Sequence, residues 1–314
     1  MKSVTIIGAN SYIARNLIQS IADSDAQIKM YLYDREETHK DGHSGYAPID
    51  IMSSDSMEAV RYDVDAVILF TGRTGTYVGF DEPESFIKVN ELGLLNVLNA
   101  MRKADSTAKL VFPSTRLVYK GKDEILSEDA EKEMKTVYAV NKFACEQYLK
   151  MYHEVFGIHY CIFRICVPYG SLLKGVSSYG TAEFFIGKAA AGENISLYGD
   201  GEVRRTLTYI GDLCRTIAEG SFSDGCMDDV YNIGGEDYSL KEMALATAER
   251  YNVDVEYTPW PESALKIESG STVFDSSKLD AILGSIRRMS FKRWIGGGES
   301  VSYTHLTLPT ILLV

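Results

Sequence analysis

Short apolar runs alternate with helical periodicity through the first half of this 314-residue chain. The runs "SVTIIG", "IKMYLYD", "DAVILFTG" and "AKLVFPST" have the length and the β-branched content of buried strands. Between them, "SYIARNLIQSIADS" and "PESFIKVNELGLLNVLNAMRKA" place apolar residues at helical spacing. Strands that alternate with helices predict an α/β fold with a Rossmann-like, doubly wound parallel sheet.

The pattern loosens after about residue 170, where loops rich in glycine and serine separate shorter elements. We expect residues 1–170 to form a dinucleotide-binding domain, to which residues 206–240 return. Residues 171–205 and 241–298 would form a smaller, C-terminal substrate-binding lobe over the carboxyl ends of the strands, where open α/β sheets bind ligands. Residues 299–314 are interpreted as a non-native tail, because "VSYTHLTLPT" resembles a translated adapter used in sequencing libraries.

Composition narrows the class of protein. The formal net charge of −12 argues against general binding to nucleic acid or to anionic membranes. The N-terminus lacks the features of a signal peptide, and no apolar stretch is long enough to span a bilayer. Five cysteines without a C-x-x-C pair indicate reduced thiols in a cytoplasmic protein, and five scattered histidines show no zinc-binding spacing, so no metal is expected.

A candidate nucleotide-binding turn follows the first predicted strand. "VTIIG" leads into "GANSYIA", with Gly8, Ser11 and Ala14 at the three positions of a G-x-x-G-x-x-G turn. Such a turn directs the amides of a helix N-terminus at a pyrophosphate. Ser11 departs from the pattern, since a side chain stands where the backbone should approach phosphate. Its hydroxyl could donate to the phosphate or weaken binding.

Asp34 supports this interpretation, because it ends the second predicted strand. A carboxylate there would accept hydrogen bonds from the 2′-hydroxyl of an adenine ribose and would repel a 2′-phosphate. NAD is therefore favoured over NADP, although the adjacent Arg35 leaves NADP open. Asp50, which closes "YAPID", could meet the adenine amine.

Tyr138 and Lys142 are candidates for proton transfer. They lie four residues apart in a predicted helix and so share one face. A nearby cation favours a phenolate, and Thr115 follows an apolar run that could bring a hydroxyl beside that phenol. The three residues would supply a base, its activator and a hydrogen-bond partner. By itself the Y-x-x-x-K spacing is common in amphipathic helices, so the other motifs decide its meaning.

Together these motifs resemble those of the extended short-chain dehydrogenase/reductases, specifically the NAD-dependent nucleotide-sugar epimerases and dehydratases. The resemblance extends from residue 3 to about residue 294. The matching segments are the turn at 8–14, Asp34, "FTG" at 70–72, Asn90, "STRLVY" at 114–119, Tyr138 and Lys142, "FRICVPYG" at 163–170, "YGDGEVRRTLTYIGDL" at 198–213 and "YNIGG" at 231–235.

The resemblance implies a role for each matching residue. Tyr138 would be the general base and acid, and Lys142 would hold the nicotinamide ribose and lower the pKa of the tyrosine. Thr115, Tyr138 and Arg205 would bind the substrate, the arginine at its diphosphate, with Thr115 also catalytic. The implied cofactor-binding residues are Gly8, Asn10, Ser11, Tyr12, Ile13, Asp34, Asp50, Ile51, Phe70, Thr71, Gly72, Asn90, Ser114, Tyr138, Lys142 and Cys166.

Two departures from the family pattern bear on the substrate and the reaction. Val167 stands where the family usually has an asparagine, so the expected side-chain amide is missing. Arg116 and Leu117 replace the Asp-Glu pair with which 4,6-dehydratases eliminate water. The resemblance therefore implies a nucleotide-sugar C4 epimerase that retains NAD and works through a 4-keto intermediate.

Two alternatives stay open. The same three catalytic residues would suffice for an NAD(P)-dependent 4-keto-sugar reductase. Ser11 and Val167 would suit a non-catalytic dinucleotide sensor.

The resemblance also implies a homodimer, because the predicted helices at 84–103 and 138–156 carry apolar residues on more than one face.

Overall fold

The computed structural model of the protein describes residues 1–176, 180–284 and 289–297. The strands in these ranges, β1 to β14 in chain order, are Lys2–Ile7, Ile28–Asp34, Tyr46–Pro48, Ala66–Leu69, Lys109–Thr115, Ile125–Leu126, Tyr160–Ile165, Val167–Tyr169, Ile195–Tyr198, Arg204–Tyr209, Asp229–Asn232, Glu236–Ser239, Val255–Thr258 and Val273–Phe274. The α-helices, α1 to α12, are Tyr12–Ala22, Ser54–Glu58, Val78–Asp81, Pro83–Phe86, Gly93–Lys103, Val137–Phe156, Thr181–Ala190, Ile210–Phe222, Leu240–Tyr251, Glu262–Ile267, Ser277–Leu283 and Phe291–Ile295. A π-helical stretch, Ile87–Leu92, joins α4 to α5, and 3₁₀ turns lie at Arg116–Val118 and Asp224–Cys226.

Seven strands form one parallel sheet in the order β11-β7-β5-β4-β1-β2-β3. The chain builds outward from β1 to one edge, then returns to β4 and builds toward the other edge. The reversal lies between β1 and β4, and a crevice at such a point is where open α/β sheets bind ligands. This topology confirms the predicted Rossmann-like fold.

Alternate side chains of the sheet enter two separate cores, which explains why both faces are apolar in the sequence. One face packs against α1 and α8 through buried residues that include Val4, Ile6, Ile68, Val111 and Phe163. The opposite face packs against α5 and α6 through Ile7, Val67, Leu69, Leu110, Phe112 and Ile162. The sheet is therefore covered by helices on both sides.

The remaining strands form smaller sheets. β10 lies between β8 and β12, β9 pairs with β13, and β6 pairs with β14. The apolar run "IHYCIFRICV" is divided at Cys166, where the chain leaves the large sheet at the end of β7 and enters β8. β11 lies at the edge of the large sheet beside β7. The proposed tail at 299–314 lies outside the described residues.

Two further sequence expectations concern the membrane and the thiols. Among the described helices, none has the length and apolar character needed to cross a membrane. All five cysteines are free, and four of them are buried.

Candidate active site

Gly8 forms the turn between β1 and α1, and its backbone requires glycine. Its φ is +90°, and a Cβ at this position would lie 2.4 Å from the amide nitrogen of Thr71. Its own amide donates to the carbonyl of Tyr33 at 2.8 Å. The turn is thus held between the ends of β2 and β4, at the reversal point of the sheet.

Ser11 is the N-cap residue of α1, and its hydroxyl is available for a ligand. Its Oγ is buried and has no hydrogen-bond partner in the described structure. The first amides of a helix also lack intrahelical acceptors, and the helix dipole favours an anion there. An unpaired hydroxyl beside these amides fits a pyrophosphate. The departure from glycine therefore adds a donor to the turn.

Asp34 ends β2 and faces the same cleft. Its Oδ2 accepts from the amide of Asn10 at 2.9 Å, and its Oδ1 accepts from the amide of Arg35 at 2.7 Å. Each oxygen keeps a further lone pair for a ribose hydroxyl. Glu36 and Asp50 also line the cleft, as do Arg35 and Arg73, so three carboxylates face two guanidinium groups there. That balance disfavours the 2′-phosphate of NADP.

Nine of the predicted cofactor residues line one cleft of about 510 Å³: Gly8, Asn10, Ser11, Asp34, Asp50, Ile51, Phe70, Thr71 and Gly72. The cleft also contains residues that sequence reasoning did not assign to the cofactor site: Ile7, Arg35, Glu36, Ile49, Met52, Arg73, Ser85 and Val89. Most of these lie at or just beyond the carboxyl ends of β1 to β4. Because ligands bind at that edge of an open α/β sheet, their positions after the predicted strands could have identified them.

Asn10 and Asn90 use their side chains to hold loops. Asn10 donates to the carbonyl of Thr38 at 3.1 Å and accepts from the amide of Lys40 at 2.9 Å. Asn90 accepts from the amide of Arg73 at 2.7 Å and donates to its carbonyl at 3.0 Å. Asn90 lies in the π-helical stretch, a feature frequent at functional sites. Its amide group is therefore satisfied by the loop after β4.

Tyr12 and Ile13 occupy the first turn of α1 but are absent from the residues that line the cleft. The Tyr12 side chain is buried, and its hydroxyl donates to the carbonyl of Gly170. Tyr12 can therefore offer its backbone amide to a phosphate, whereas its phenol joins α1 to the end of β8. The predicted contact of Ile13 likewise concerns the backbone of the helix N-terminus.

The Ser114 side chain does not match its predicted role. Its hydroxyl donates to Oε1 of the fully buried Glu146 at 2.5 Å, and Glu146 forms a 2.6 Å ion pair with Arg164. Ser114 thus belongs to a buried structural network, because neighbouring residues of a strand point to opposite faces. Cys166 is also engaged elsewhere, since its sulfur contacts the carbonyl of Thr272 at 3.4 Å.

Thr115 and Tyr138 meet at the carboxyl end of β5. Thr115 is the last residue of β5, and Tyr138 lies in the first turn of α6. The Thr136 hydroxyl caps this helix by accepting from the amide of Ala139 at 3.1 Å, which fixes where α6 begins. The Thr115 hydroxyl lies near enough to the Tyr138 phenol to lower the pKa of the tyrosine, against the larger effect of burial. The structure therefore brings the predicted hydroxyl and phenol together.

Lys142 lies one turn further along α6, and its ammonium is anchored to the backbone of β5. Its Nζ donates to the carbonyl of Pro113 at 2.7 Å and lies 6.0 Å from the centre of the Tyr138 ring. Burial lowers the pKa of Lys142 to about 8 and raises the pKa of Tyr138 to about 12. Desolvation thus dominates the pKa of both groups, and the lowering of the tyrosine pKa by Lys142 stays a prediction.

Arg205, predicted to bind a diphosphate, is buried in a cluster of its own. It pairs with Glu268 at 2.6 Å and donates to the carbonyl of Gly270 at 2.6 Å. Burial and the charge of Arg205 lower the pKa of Arg116, whose Nη1 donates to Ser269 at 2.9 Å. Two guanidinium groups thus share one nearby carboxylate, so the cluster carries a local excess of positive charge.

The comparisons with known proteins identify the family. The sequence profile of the NAD dependent epimerase/dehydratase family matches residues 4–234, and the chain belongs to this family. It is 24% identical over 246 residues to a putative UDP-glucose 4-epimerase of Methanocaldococcus jannaschii, covering 76% of this chain and 79% of that protein. It is 29% identical over 186 residues to a UDP-glucuronate 4-epimerase of Thermodesulfobacterium geofontis, covering 58% of this chain and 56% of that protein.

A solved structure shows the same fold. The structure of the UDP-glucose 4-epimerase of Thermus thermophilus in complex with NAD superposes on this chain with a TM-score of 0.80 at 24% sequence identity. The match covers 94% of this chain and 96% of the epimerase. NAD is the cofactor of the family. The cleft fits it, because the Ser11 hydroxyl, the helix N-terminus and the Asp34 carboxylate provide the donors and the acceptor that a dinucleotide requires.

Proposed function

We propose that the protein is a nucleotide-sugar C4 epimerase. The observation that carries this proposal is the meeting of Thr115, Tyr138 and Lys142 at the carboxyl end of β5. The relatives named as UDP-glucose and UDP-glucuronate 4-epimerases support a sugar whose C4 configuration changes.

Each catalytic side chain has a defined task in this reaction. Bound NAD supplies the hydride acceptor and donor for C4. Tyr138 removes the proton from the C4 hydroxyl and returns it when the 4-keto sugar is reduced on its other face. Thr115 holds that hydroxyl beside the phenol. Lys142 holds the nicotinamide ribose and adds positive charge near the phenol as its proton leaves.

Dehydratase chemistry has less support. Elimination of water needs an acid and a base next to the catalytic threonine, and Arg116 and Leu117 occupy those positions. The Arg116 guanidinium donates to Ser269 and cannot act as either group near neutral pH. We therefore assign C4 inversion as the reaction, with no net oxidation or reduction.

The substrate contacts are assigned to the second part of the chain. We propose that Arg205 binds the nucleotide diphosphate, with residues 171–205 and 241–298 forming the substrate-binding lobe. The positive excess around Arg116 and Arg205 supports an anionic ligand there, although Glu268 now neutralises part of it.

The decisive experiment follows C4 configuration by NMR during incubation with UDP-, GDP- and dTDP-sugars. We expect inversion without net consumption of NAD(P)H and a loss of about 10²–10⁴-fold in Tyr138→Phe. Tyr148→Phe is the matched control, because its hydroxyl lies ten residues further along α6 and contacts Glu91. Steady consumption of NAD(P)H would indicate a reductase instead. Full biological activity in a folded Tyr138→Phe variant would indicate a sensor.

We also propose a homodimer that pairs α5 and α6 of two chains. Large apolar side chains on α6 are exposed in the single chain, with Val140 at 49%, Met151 at 47% and Val155 at 64%. These positions share one face of the helix. Light scattering of the wild type should give twice the chain mass, and Val155→Glu should shift it toward the monomer. A monomeric wild type would refute the proposal.

A further inference from the structure

Three side chains that are distant in sequence converge at the edge of the sheet opposite the active site. His153 lies in the last turn of α6, His159 directly precedes β7, and Asp228 directly precedes β11. The amino ends of these two parallel strands lie side by side, whereas Thr115 and Tyr138 lie at a carboxyl end. This cluster is therefore separate from the candidate active site.

The potential ligand atoms of the cluster are close together. Nδ1 of His153 lies 3.2 Å from Oδ1 of Asp228, and Nδ1 of His159 lies 2.8 Å from Oδ2. All three residues offer ligand atoms within 4.8 Å of one another. Ligands about 2.0–2.2 Å from one zinc ion lie roughly 3–3.5 Å apart, so small side-chain adjustments would complete a site.

One nitrogen of the cluster has no hydrogen-bond partner within the part of the chain that the structure describes. Nδ1 of His153 is buried, and despite the short distance to Asp228 its direction gives no hydrogen bond. Buried polar atoms without partners are uncommon and call for an explanation, of which an ion is one. A metal between the imidazole and the carboxylate would use the nitrogen lone pair.

The backbone conformation of Asp228 and two hydrogen bonds hold its carboxylate in place. Asp228 has a φ of +58°, in the left-handed region where residues other than glycine are uncommon and aspartate and asparagine are enriched. Its amide donates to the carbonyl of Tyr160 at 2.7 Å, and the Tyr160 amide donates to its Oδ1 at 3.0 Å. The aspartate is thereby fixed between the two histidines before any ligand arrives.

The surroundings favour a cation. Two further carboxylates, those of Glu154 and Asp229, belong to the residues that directly follow His153 and Asp228 in the sequence. The Lys278 ammonium lies 2.7 Å from the Asp229 carboxylate and offsets one of these charges. The potential next to His153 and His159 is therefore negative.

We propose that His153, His159 and Asp228 bind a divalent transition-metal ion of the zinc type. Two imidazole nitrogens and one carboxylate oxygen suit Zn²⁺, Co²⁺ or Ni²⁺, whereas Mg²⁺ and Ca²⁺ require oxygen ligands. Three protein ligands leave a coordination position for water, and the side chains are 24–40% exposed, which leaves the ion a path from solvent. The metal would join the end of α6 to two strands and would act in stability.

The test is calorimetric titration of ZnCl₂ into protein that carries no histidine tag. We expect one saturable site per chain in the wild type and at least a tenfold weaker affinity in Asp228→Asn and in His159→Gln. Asparagine tolerates the left-handed backbone and preserves an acceptor for the Tyr160 amide, so Asp228→Asn should fold. His43→Gln is the matched control, since it removes an imidazole elsewhere and should bind like the wild type.

A thermal melt gives a second readout. Excess Zn²⁺ should raise the Tm of the wild type and of His43→Gln by a few degrees and raise the Tm of the two site variants by less. The melts without metal verify that each variant is folded. Absence of saturable binding, or equal affinity in the wild type and both site variants, would overturn the proposal.

Discussion

The Lys142 ammonium donates a 2.7 Å hydrogen bond to the backbone carbonyl of Pro113, two residues before Thr115 on strand β5. It also lies 4.3 Å from the centre of the Phe112 ring. The lysine is therefore anchored to the strand that presents the threonine, and α6 and β5 are held in a fixed register at the site. The anchor has a cost, because it keeps a cation in a buried position.

Replacement of Lys142 by methionine should separate function from stability. We expect the variant to lose epimerase activity while its free energy of unfolding at pH 7 is unchanged or rises by up to about 3 kcal/mol, since the buried charge is gone. The lysine pKa is about 8 in the folded protein and about 10.5 in the unfolded chain. The buried charge of Lys142 therefore lowers the free energy of unfolding by its full amount below pH 8, and this loss fades as the pH rises to about 10.5.

Urea denaturation of both proteins at several pH values measures this difference. The gain in free energy of unfolding of Lys142→Met over the wild type should be largest below pH 8 and should shrink between pH 8 and pH 10.5. An advantage that grows over this range, or a variant much less stable than the wild type at pH 7, would contradict the burial argument.

Gly8→Ala should abolish NAD binding and lower stability. The new Cβ would lie 2.4 Å from the Thr71 amide nitrogen, so the turn between β1 and α1 must move. Gly157→Ala is the matched control, because Gly157 also has a positive φ, of +71°, but has no atom within 4 Å of the added Cβ. We expect Gly157→Ala to cost about 1 kcal/mol through backbone strain alone and to bind NAD normally. Fluorescence titration with NAD and thermal melts check both variants, and similar losses of NAD binding in the two would refute the steric account.

The sequence was sufficient to predict the large sheet, because its signals are local. Apolar runs in β1, β2, β4 and β5 face helices on both sides, and such strands carry an unbroken apolar pattern. The glycine turn and Asp34 follow from the same logic, since their positions relative to the strand ends determine what they can contact.

What the sequence could not predict depends on tertiary neighbours. Ser114 and Thr115 are adjacent, yet the Ser114 hydroxyl donates to a buried glutamate whereas the Thr115 side chain lies near the Tyr138 phenol. The effect of burial on the pKa of Tyr138 was equally hidden, because helical spacing indicates proximity to Lys142 but not how deeply either group is buried. His153 and His159 seemed scattered because Asp228 joins them from far along the chain.

Glu268→Gln should increase the affinity of the protein for UDP and the rise in Tm that UDP causes. Glu268 is the acidic partner of the buried Arg205, so its neutralisation leaves a guanidinium whose charge a diphosphate could balance. We expect a lower Tm without ligand, but a larger rise on addition of UDP and an affinity increased by about tenfold. Glu262→Gln, which removes an exposed partner of Lys266, is the control and should respond like the wild type. An equal UDP response in all three proteins would place Arg205 outside the diphosphate site.

Glu146→Gln should be among the most destabilising single changes in the large sheet region. Glu146 is fully buried and accepts hydrogen bonds from Arg164 at 3.0 and 2.6 Å and from Ser114 at 2.5 Å. Loss of its charge leaves the Arg164 guanidinium buried without a counterion, which typically costs about 3–5 kcal/mol. Chemical denaturation should show this loss, whereas Glu131→Gln, at the exposed pair with Lys120, should match the wild type. Similar stability of the two variants would mean that water or another side chain compensates Arg164.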